Sequence, residues 1–169
     1  MQGSAAIAFA LCGQPARAQA IRQSLVKAYP QDTVINHVFL PDIDAVIDLG
    51  SNRPQDALTA LAPAADYDIL GITSYLRGLA HLALKDGAAA AADFSFPATH
   101  RSVFVLCQVQ GMNVAYPLSL LGLARAETMQ GNVAKGRQQY QKFFDYWKNA
   151  DHELPPLVAA HSEAARLGL

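Results

Sequence analysis

Ala124-Arg125-Ala126-Glu127-Thr128-Met129-Gln130-Gly131-Asn132-Val133-Ala134-Lys135-Gly136 is the stretch whose reading decides the fold. Its first half is an alanine-bearing helical segment, its middle is a glycine followed by a polar residue, and its second half opens another helix with a small residue near the start. A glycine just past one helix, followed by a capping residue or proline that opens the next, marks a tight helical hairpin. Two other stretches parallel it: Ala8-Phe9-Ala10-Leu11-Cys12-Gly13-Gln14-Pro15-Ala16-Arg17-Ala18, and Leu79-Ala80-His81-Leu82-Ala83-Leu84-Lys85-Asp86-Gly87-Ala88-Ala89-Ala90. With Gly50-Ser51-Asn52-Arg53-Pro54 as a further breaker, four small residues recur: Ala18, Ala57, Ala90 and Gly136, spaced 39, 33 and 46 positions apart. A repeated helix pair needs roughly 34 residues, so the excess falls in long connections.

Working outward, apolar residues recur at helical spacing in Ala18, Ile21, Leu25, Tyr29 and in Val133, Gly136, Tyr140, Phe143, Phe144, Trp147, which gives each of those helices one buried face. Two connections are long. One runs from Ala64 to Ile69, interrupted by Asp66-Tyr67-Asp68. The other runs from Thr99 to Tyr116 and carries Val103 to Cys107; it reads as an extended crossover or a short strand. Asp32 and Thr33 cap a helix toward Leu49 that Pro41 bends, because proline has no N–H to give the His37 carbonyl. Pro155-Pro156 opens a last helix through Leu167 that caps the array. The expected fold is therefore all-α, about four helix pairs near 5–32, 33–64, 69–98 and 114–150, with a capping helix at 155–168.

Bulk composition agrees with helix and excludes several functions. The chain has 169 residues, 51% of them apolar and 16% charged, and its apolar share leans on alanine and leucine rather than β-branched residues. Thirteen basic against fourteen acidic residues give a net charge of -1, which draws the chain neither to nucleic acid nor to anionic lipid. No window approaches the roughly 20 apolar residues of a membrane span. Cys12 and Cys107 are too few for a disulfide framework and lack zinc-site spacing, so both read as buried small apolar residues. Met1-Gln2-Gly3-Ser4 reads as an expression scar, and the short helix after it as the start of a truncated first repeat cut from something longer.

At these residues the sequence resembles the tetratricopeptide repeat family, in which a small residue lets the paired helices pack closely and a proline follows the second helix, as Pro30 does here. More narrowly, it is similar to the carboxy-terminal repeat region of bacterial signalling proteins, notably acidobacterial-type serine/threonine kinases and some winged-helix regulators. Tyr29-Pro30-Gln31-Asp32-Thr33, Phe39-Leu40-Pro41, Leu76-Arg77-Gly78, His100-Arg101, Leu121-Gly122-Leu123-Ala124-Arg125-Ala126 and Tyr146-Trp147-Lys148-Asn149-Ala150-Asp151 carry that likeness. Lys85, His81 and Gly136 stand where the family usually has glycine, tyrosine and alanine. The resemblance implies a superhelix whose inner wall is formed by the first helix of each pair. Phe39, Asp42, Tyr75, Arg125 and Thr128 thereby become the candidate peptide groove. It also implies an extracytoplasmic position if the parent kinase spans a membrane; the sequence by itself defaults to a soluble cytoplasmic module.

Chemistry-bearing groupings are sparse. No glycine-rich phosphate loop, His-Arg-Asp or Asp-Phe-Gly is found, and no serine sits in a Gly-x-Ser-x-Gly setting. Asp44 and Asp48, with Asp42 near, lie one turn apart and read as a solvated face rather than an acid pair. Asp151-His152-Glu153 with His161 reads as a charged loop rather than a metal site, and His81 as a hydrogen-bonded packing residue. The aromatic cluster Tyr140, Phe143, Phe144, Tyr146, Trp147 reads as core and end cap. The expected function is a non-catalytic peptide-binding or scaffold module with no cofactor and no metal, its partner a protein or peptide. The alternatives are a small-ligand sensor and self-association through apolar surface around Ala8, Phe9 and Leu11.

Overall fold

The computed structural model describes residues 2–68, 71–100 and 114–169. Among them are nine α-helices and no strand, so the all-α expectation holds. In chain order they are α1 (Gln2–Leu11), α2 (Pro15–Ala28), α3 (Leu40–Gly50), α4 (Pro54–Leu61), α5 (Ile72–Ala83), α6 (Gly87–Thr99), α7 (Ala115–Met129), α8 (Val133–Tyr146) and α9 (Pro155–Arg166). The main contacts run between chain neighbours: α1 with α2 and α3, α3 with α4 and α5, α5 with α6 and α7, α7 with α8. The second helices α2, α4 and α6 also pack on the helix that opens the following pair.

Four of the inter-helix turns are built the same way. Gly13, Asn52, Lys85 and Gly131 all take left-handed backbone, with φ of 72°, 56°, 61° and 80°. In each turn the next N–H reaches back five residues: Gln14 to Phe9, Arg53 to Asp48, Asp86 to His81 and Asn132 to Glu127, at 2.8 to 2.9 Å. The left-handed residue's own N–H bonds the carbonyl three residues back in every case, which completes a Schellman C-cap. Lys85 adopts this conformation without being glycine, at some cost in backbone strain. Five positions after each left-handed residue comes the small residue of the next helix: Ala18, Ala57 and Ala90 are fully buried, and Gly136 is buried too. The turn thus fixes how far into the second helix the two axes approach, and a small side chain there lets them close.

Gly136 shows how tight that approach is. A Cβ there would overlap the Thr128 hydroxyl oxygen and come within 3.2 Å of the Ala124 carbonyl. Gly136→Ala should therefore destabilise the α7–α8 hairpin by about 1–2 kcal/mol, despite alanine's better helix propensity. Thr128→Ala in the same chain should recover most of the loss, because the oxygen in the way is gone. Urea melts of the two single variants and the double variant read this directly; simple additivity would contradict it.

Elsewhere several expectations change. Pro41 does not split its helix in two. The chain from Thr33 is continuous into α3, and Ile35–Phe39 widens into a π-helical turn, a common way for a helix to absorb a break in its hydrogen-bond ladder. Asp32 caps it, accepting from the Ile35 N–H at 2.9 Å. The stretch Ala62–Tyr67 is a 3₁₀-helix. Cys12 is exposed rather than buried, since it lies beyond the end of α1 in the first turn. Gln2, Gly3 and Ser4 form the first turn of α1, and Gly3 and Ser4 are buried, Gly3 against the Phe39 ring. Of the Thr99 to Tyr116 connection, residues 101–113, which include Cys107, lie outside the described residues.

The core is continuous through the first three pairs and passes into a second cluster around α7, α8 and α9. At its centre Phe94 of α6 is fully buried between Gly78 of α5 and Gly122 of α7. In the second cluster Tyr140 and Phe143 are buried, and Phe143 packs on Trp147 with ring centroids 4.9 Å apart. Among the described residues no helix is long and apolar enough to cross a membrane.

Candidate functional site

All five groove candidates precede a hairpin turn: Phe39 in the π turn, Asp42 on α3, Tyr75 on α5, Arg125 and Thr128 on α7. The structure does not join them into one site. Phe39 lines a hollow of about 360 Å³ with Gln2, Gly3, Tyr29 and Asp32. Tyr75 lines a separate notch between α1, α5 and α7, whose walls include Ile7, Leu76 and Leu118. Arg125 and Thr128 line a third cleft of about 350 Å³ with Tyr140, Glu163 and Arg166. Tyr75 and Arg125 are nonetheless within electrostatic reach: burial pushes the Tyr75 hydroxyl up to about 12, and the Arg125 charge pulls it partly back.

Asp42 is withdrawn from any groove. It is 1% exposed, and the Thr73 hydroxyl of α5 donates to its Oδ1 at 2.9 Å. Asp68 lies close by and caps α5, accepting from the Thr73 and Ser74 N–H groups at 3.2 and 2.7 Å. Burial raises the Asp42 pKa from 3.8 to about 7; the Thr73 hydrogen bond opposes that rise and the Asp68 charge adds to it. Asp42 is thus a core carboxyl at the joint between α3 and α5, inaccessible to a peptide. Sequence alone places it on the surface because an aspartate in a helix is usually solvated.

Arg125, a groove candidate, has its fork filled from within the chain. Its Nε and one terminal nitrogen donate to the two Glu163 oxygens at 2.8 and 2.9 Å, a bidentate pair from α7 to α9. The Tyr140 hydroxyl donates to the same carboxylate at 2.8 Å. Burial pushes the Glu163 carboxyl up, but the hydrogen bonds from Arg125 and Tyr140 and the Arg125 charge outweigh it, and the net pKa is lowered. Glu163 holds Arg125 and Tyr140 to α9, so this grouping docks the terminal helix. Thr128 donates its hydroxyl to the Ala124 carbonyl of its own helix at 2.8 Å.

The other groupings resolve into structural contacts. Asp44 pairs with Arg22 of α2, and Asp48 with Arg53 in the following turn. His81 donates from Nδ1 to Asp93 at 2.6 Å, and Arg77 approaches the other Asp93 oxygen at 3.0 Å, tying α5 to α6. The His161 ring stacks on Phe144, centroids 4.4 Å apart and planes 5° apart, so it packs α9 onto α8. Among the described residues no group of three or more histidine, cysteine, aspartate or glutamate side chains is placed to hold a metal.

Two hydroxyls were not legible as special. Ser4 and Ser119 are buried, and their oxygens have no hydrogen-bond partner among the described residues. Ser119 lies within α7 beside Leu120 and Leu121 of the second core cluster, whereas Ser4 lines the notch beside Tyr75. Nothing in the residue types distinguishes these serines from solvated ones, because burial comes from packing between helices rather than from the local sequence. No family model, no curated protein and no solved structure matches the chain.

Proposed function

We propose that this chain is a non-catalytic protein-binding module of the tetratricopeptide type, a superhelix of four helix pairs capped by α9. It serves as an interaction segment of a larger bacterial signalling protein, of which a serine/threonine kinase is one kind. Its partner is a peptide segment laid along the first helices. The observation that carries this reading is the fourfold recurrence of one turn geometry with a buried small residue five positions later. Repeated hairpins that each bury a face against the next form a solenoid, and solenoids present extended surfaces suited to peptides through many modest contacts. The notch between α1, α5 and α7 is lined mainly by apolar side chains, which suits a side-chain-reading surface.

Selection of twelve-residue peptides displayed on phage, with the chain as bait, tests the reading. Enriched peptides should bind with micromolar affinity in calorimetry, and a folded Tyr75→Ala variant should bind at least tenfold more weakly. Selection that enriches nothing above a bait-free control, or binding indifferent to Tyr75, would remove the peptide-groove reading.

A further inference from the structure

Taken alone, α9 is a weak helix. It has 12 residues, no side chain caps its N-terminus, and its first turn carries no acidic residue. Both features lower helix stability, and an isolated helix shorter than about 12–15 residues is marginal in water. Docking is therefore what keeps α9 helical. Its apolar anchor is small: Leu157, Ala160 and Ala164 are buried, against a floor that includes Leu120, Leu121, Tyr140 and Phe143. Leu154 and Val158 are 37% and 50% exposed.

The specific part of the seat is a carboxylate site. Arg125 of α7 donates to both Glu163 oxygens at 2.8 and 2.9 Å, and the Tyr140 hydroxyl of α8 donates to one of them at 2.8 Å. Without α9 the partly buried Arg125 would lose this carboxylate, which disfavours an empty seat and favours a replacement that brings another. The chemistry of such a replacement is displayed by α9 itself. Yet α9 leaves the seat partly unfilled. Beside the charged pair a cleft of about 350 Å³ remains between α7, α8 and α9, with Thr128, Met129, Arg166 and Leu167 in its walls. Met129 is 43% exposed. Arg166 stands three positions after Glu163 on the same face of the helix, so an apolar side chain at that position would cover Met129 where the arginine does not.

We infer that the face of α7 and α8 beneath α9 is a helix-docking site that α9 occupies as a displaceable internal ligand. The partner admitted in its place is an amphipathic helix with leucine, alanine and glutamate at the spacing of Leu157, Ala160 and Glu163, and a large apolar residue three positions after the glutamate. This goes beyond the peptide groove around Tyr75 and fails separately from it, because the two surfaces lie on different parts of the array.

The test uses the whole chain and a synthetic helix. In the parent chain the α9 amides should exchange with solvent at least tenfold faster than those in the middle of α7 and α8. The probe is the acetylated, amidated peptide of residues 154–169 carrying a fluorescent label, with binding read by anisotropy. It should bind the Glu163→Lys chain at least tenfold more tightly than the parent chain, whose own α9 competes at high effective concentration. On the Glu163→Lys chain, the peptide bearing Glu163→Gln should bind about tenfold more weakly, and the peptide bearing Arg166→Leu severalfold more tightly. Adding Arg125→Ala to the Glu163→Lys chain should erase the difference between the glutamate and glutamine peptides. Equal affinity for the two chains, indifference to the glutamate, or no gain from Arg166→Leu would overturn the inference. Should the Glu163→Lys chain not fold, exchange in the parent chain decides: α9 amides that exchange no faster than those of α7 and α8 would show a fixed cap rather than a displaceable ligand.

Discussion

Between pH 5 and pH 8 the chain should lose roughly 2.5 kcal/mol of stability through one group, Asp42, and Asp42→Asn should remove most of that loss. Asp42 is 1% exposed, and burial raises its pKa from 3.8 to about 7. In the folded chain the proton is held up to about pH 7, while in the unfolded chain it leaves near pH 4. The stabilisation is fully present below the unfolded value, declines as pH rises and is lost once pH passes the folded value. Most of the gap between those two values lies above pH 5, and each pH unit across it is worth roughly 1.4 kcal/mol. Urea melts at pH 5, 6, 7 and 8 should give a falling midpoint for the parent chain and a nearly flat one for Asp42→Asn. Thr73→Val sharpens the test. The Thr73 hydroxyl donates to Asp42 and favours its ionised form, so its removal should cost more at pH 8 than at pH 5. Parallel pH profiles for the parent chain and Asp42→Asn would show that the carboxyl finds compensation in the fold.

The same residue illustrates what a single sequence conceals. Asp42 and Thr73 are 31 positions apart, and Arg125 and Glu163 are 38 apart. Neither pairing leaves a local trace, because helical periodicity tells which face is buried but not which helix it meets. The helix pairs themselves were legible, since small residues, prolines and glycines act on the chain within a few positions of themselves. Gly13 and Gly131 announce left-handed turns by residue type; Asn52 does so weakly and Lys85 not at all. The π turn before α3 is hidden for a different reason. Pro41 declares that a hydrogen bond is missing, and a kink and a widened turn are both ways of living without it. Of the five groove candidates, position ahead of a hairpin turn was readable for all, whereas accessibility depended on neighbours contributed from distant pairs.

Phe94→Ala should cost about 3–5 kcal/mol. The ring is fully buried on α6, and it lies between two glycines on different helices. A Cβ at Gly78 would come within 2.7 Å of the ring, and one at Gly122 within 2.5 Å. The ring thus takes its place because both neighbouring helices lack side chains there, and it joins α5, α6 and α7 in one contact. Gly78→Ala and Gly122→Ala each gain up to about 1 kcal/mol in helix propensity, but overpacking costs about 1–3, so each should destabilise. Relief from one glycine drives the ring toward the other, so the two substitutions together should cost more than their sum. Replacing the ring reverses the sign. In a Phe94→Leu background, where the smaller side chain leaves room, either glycine-to-alanine change should stabilise by several tenths of a kcal/mol, since only the propensity gain remains. A double-mutant cycle in urea reads the coupling. Should both glycine substitutions destabilise equally with leucine at position 94, the glycines serve the helix backbones rather than the ring, and the three-helix contact would not be what sets the spacing of the third and fourth pairs.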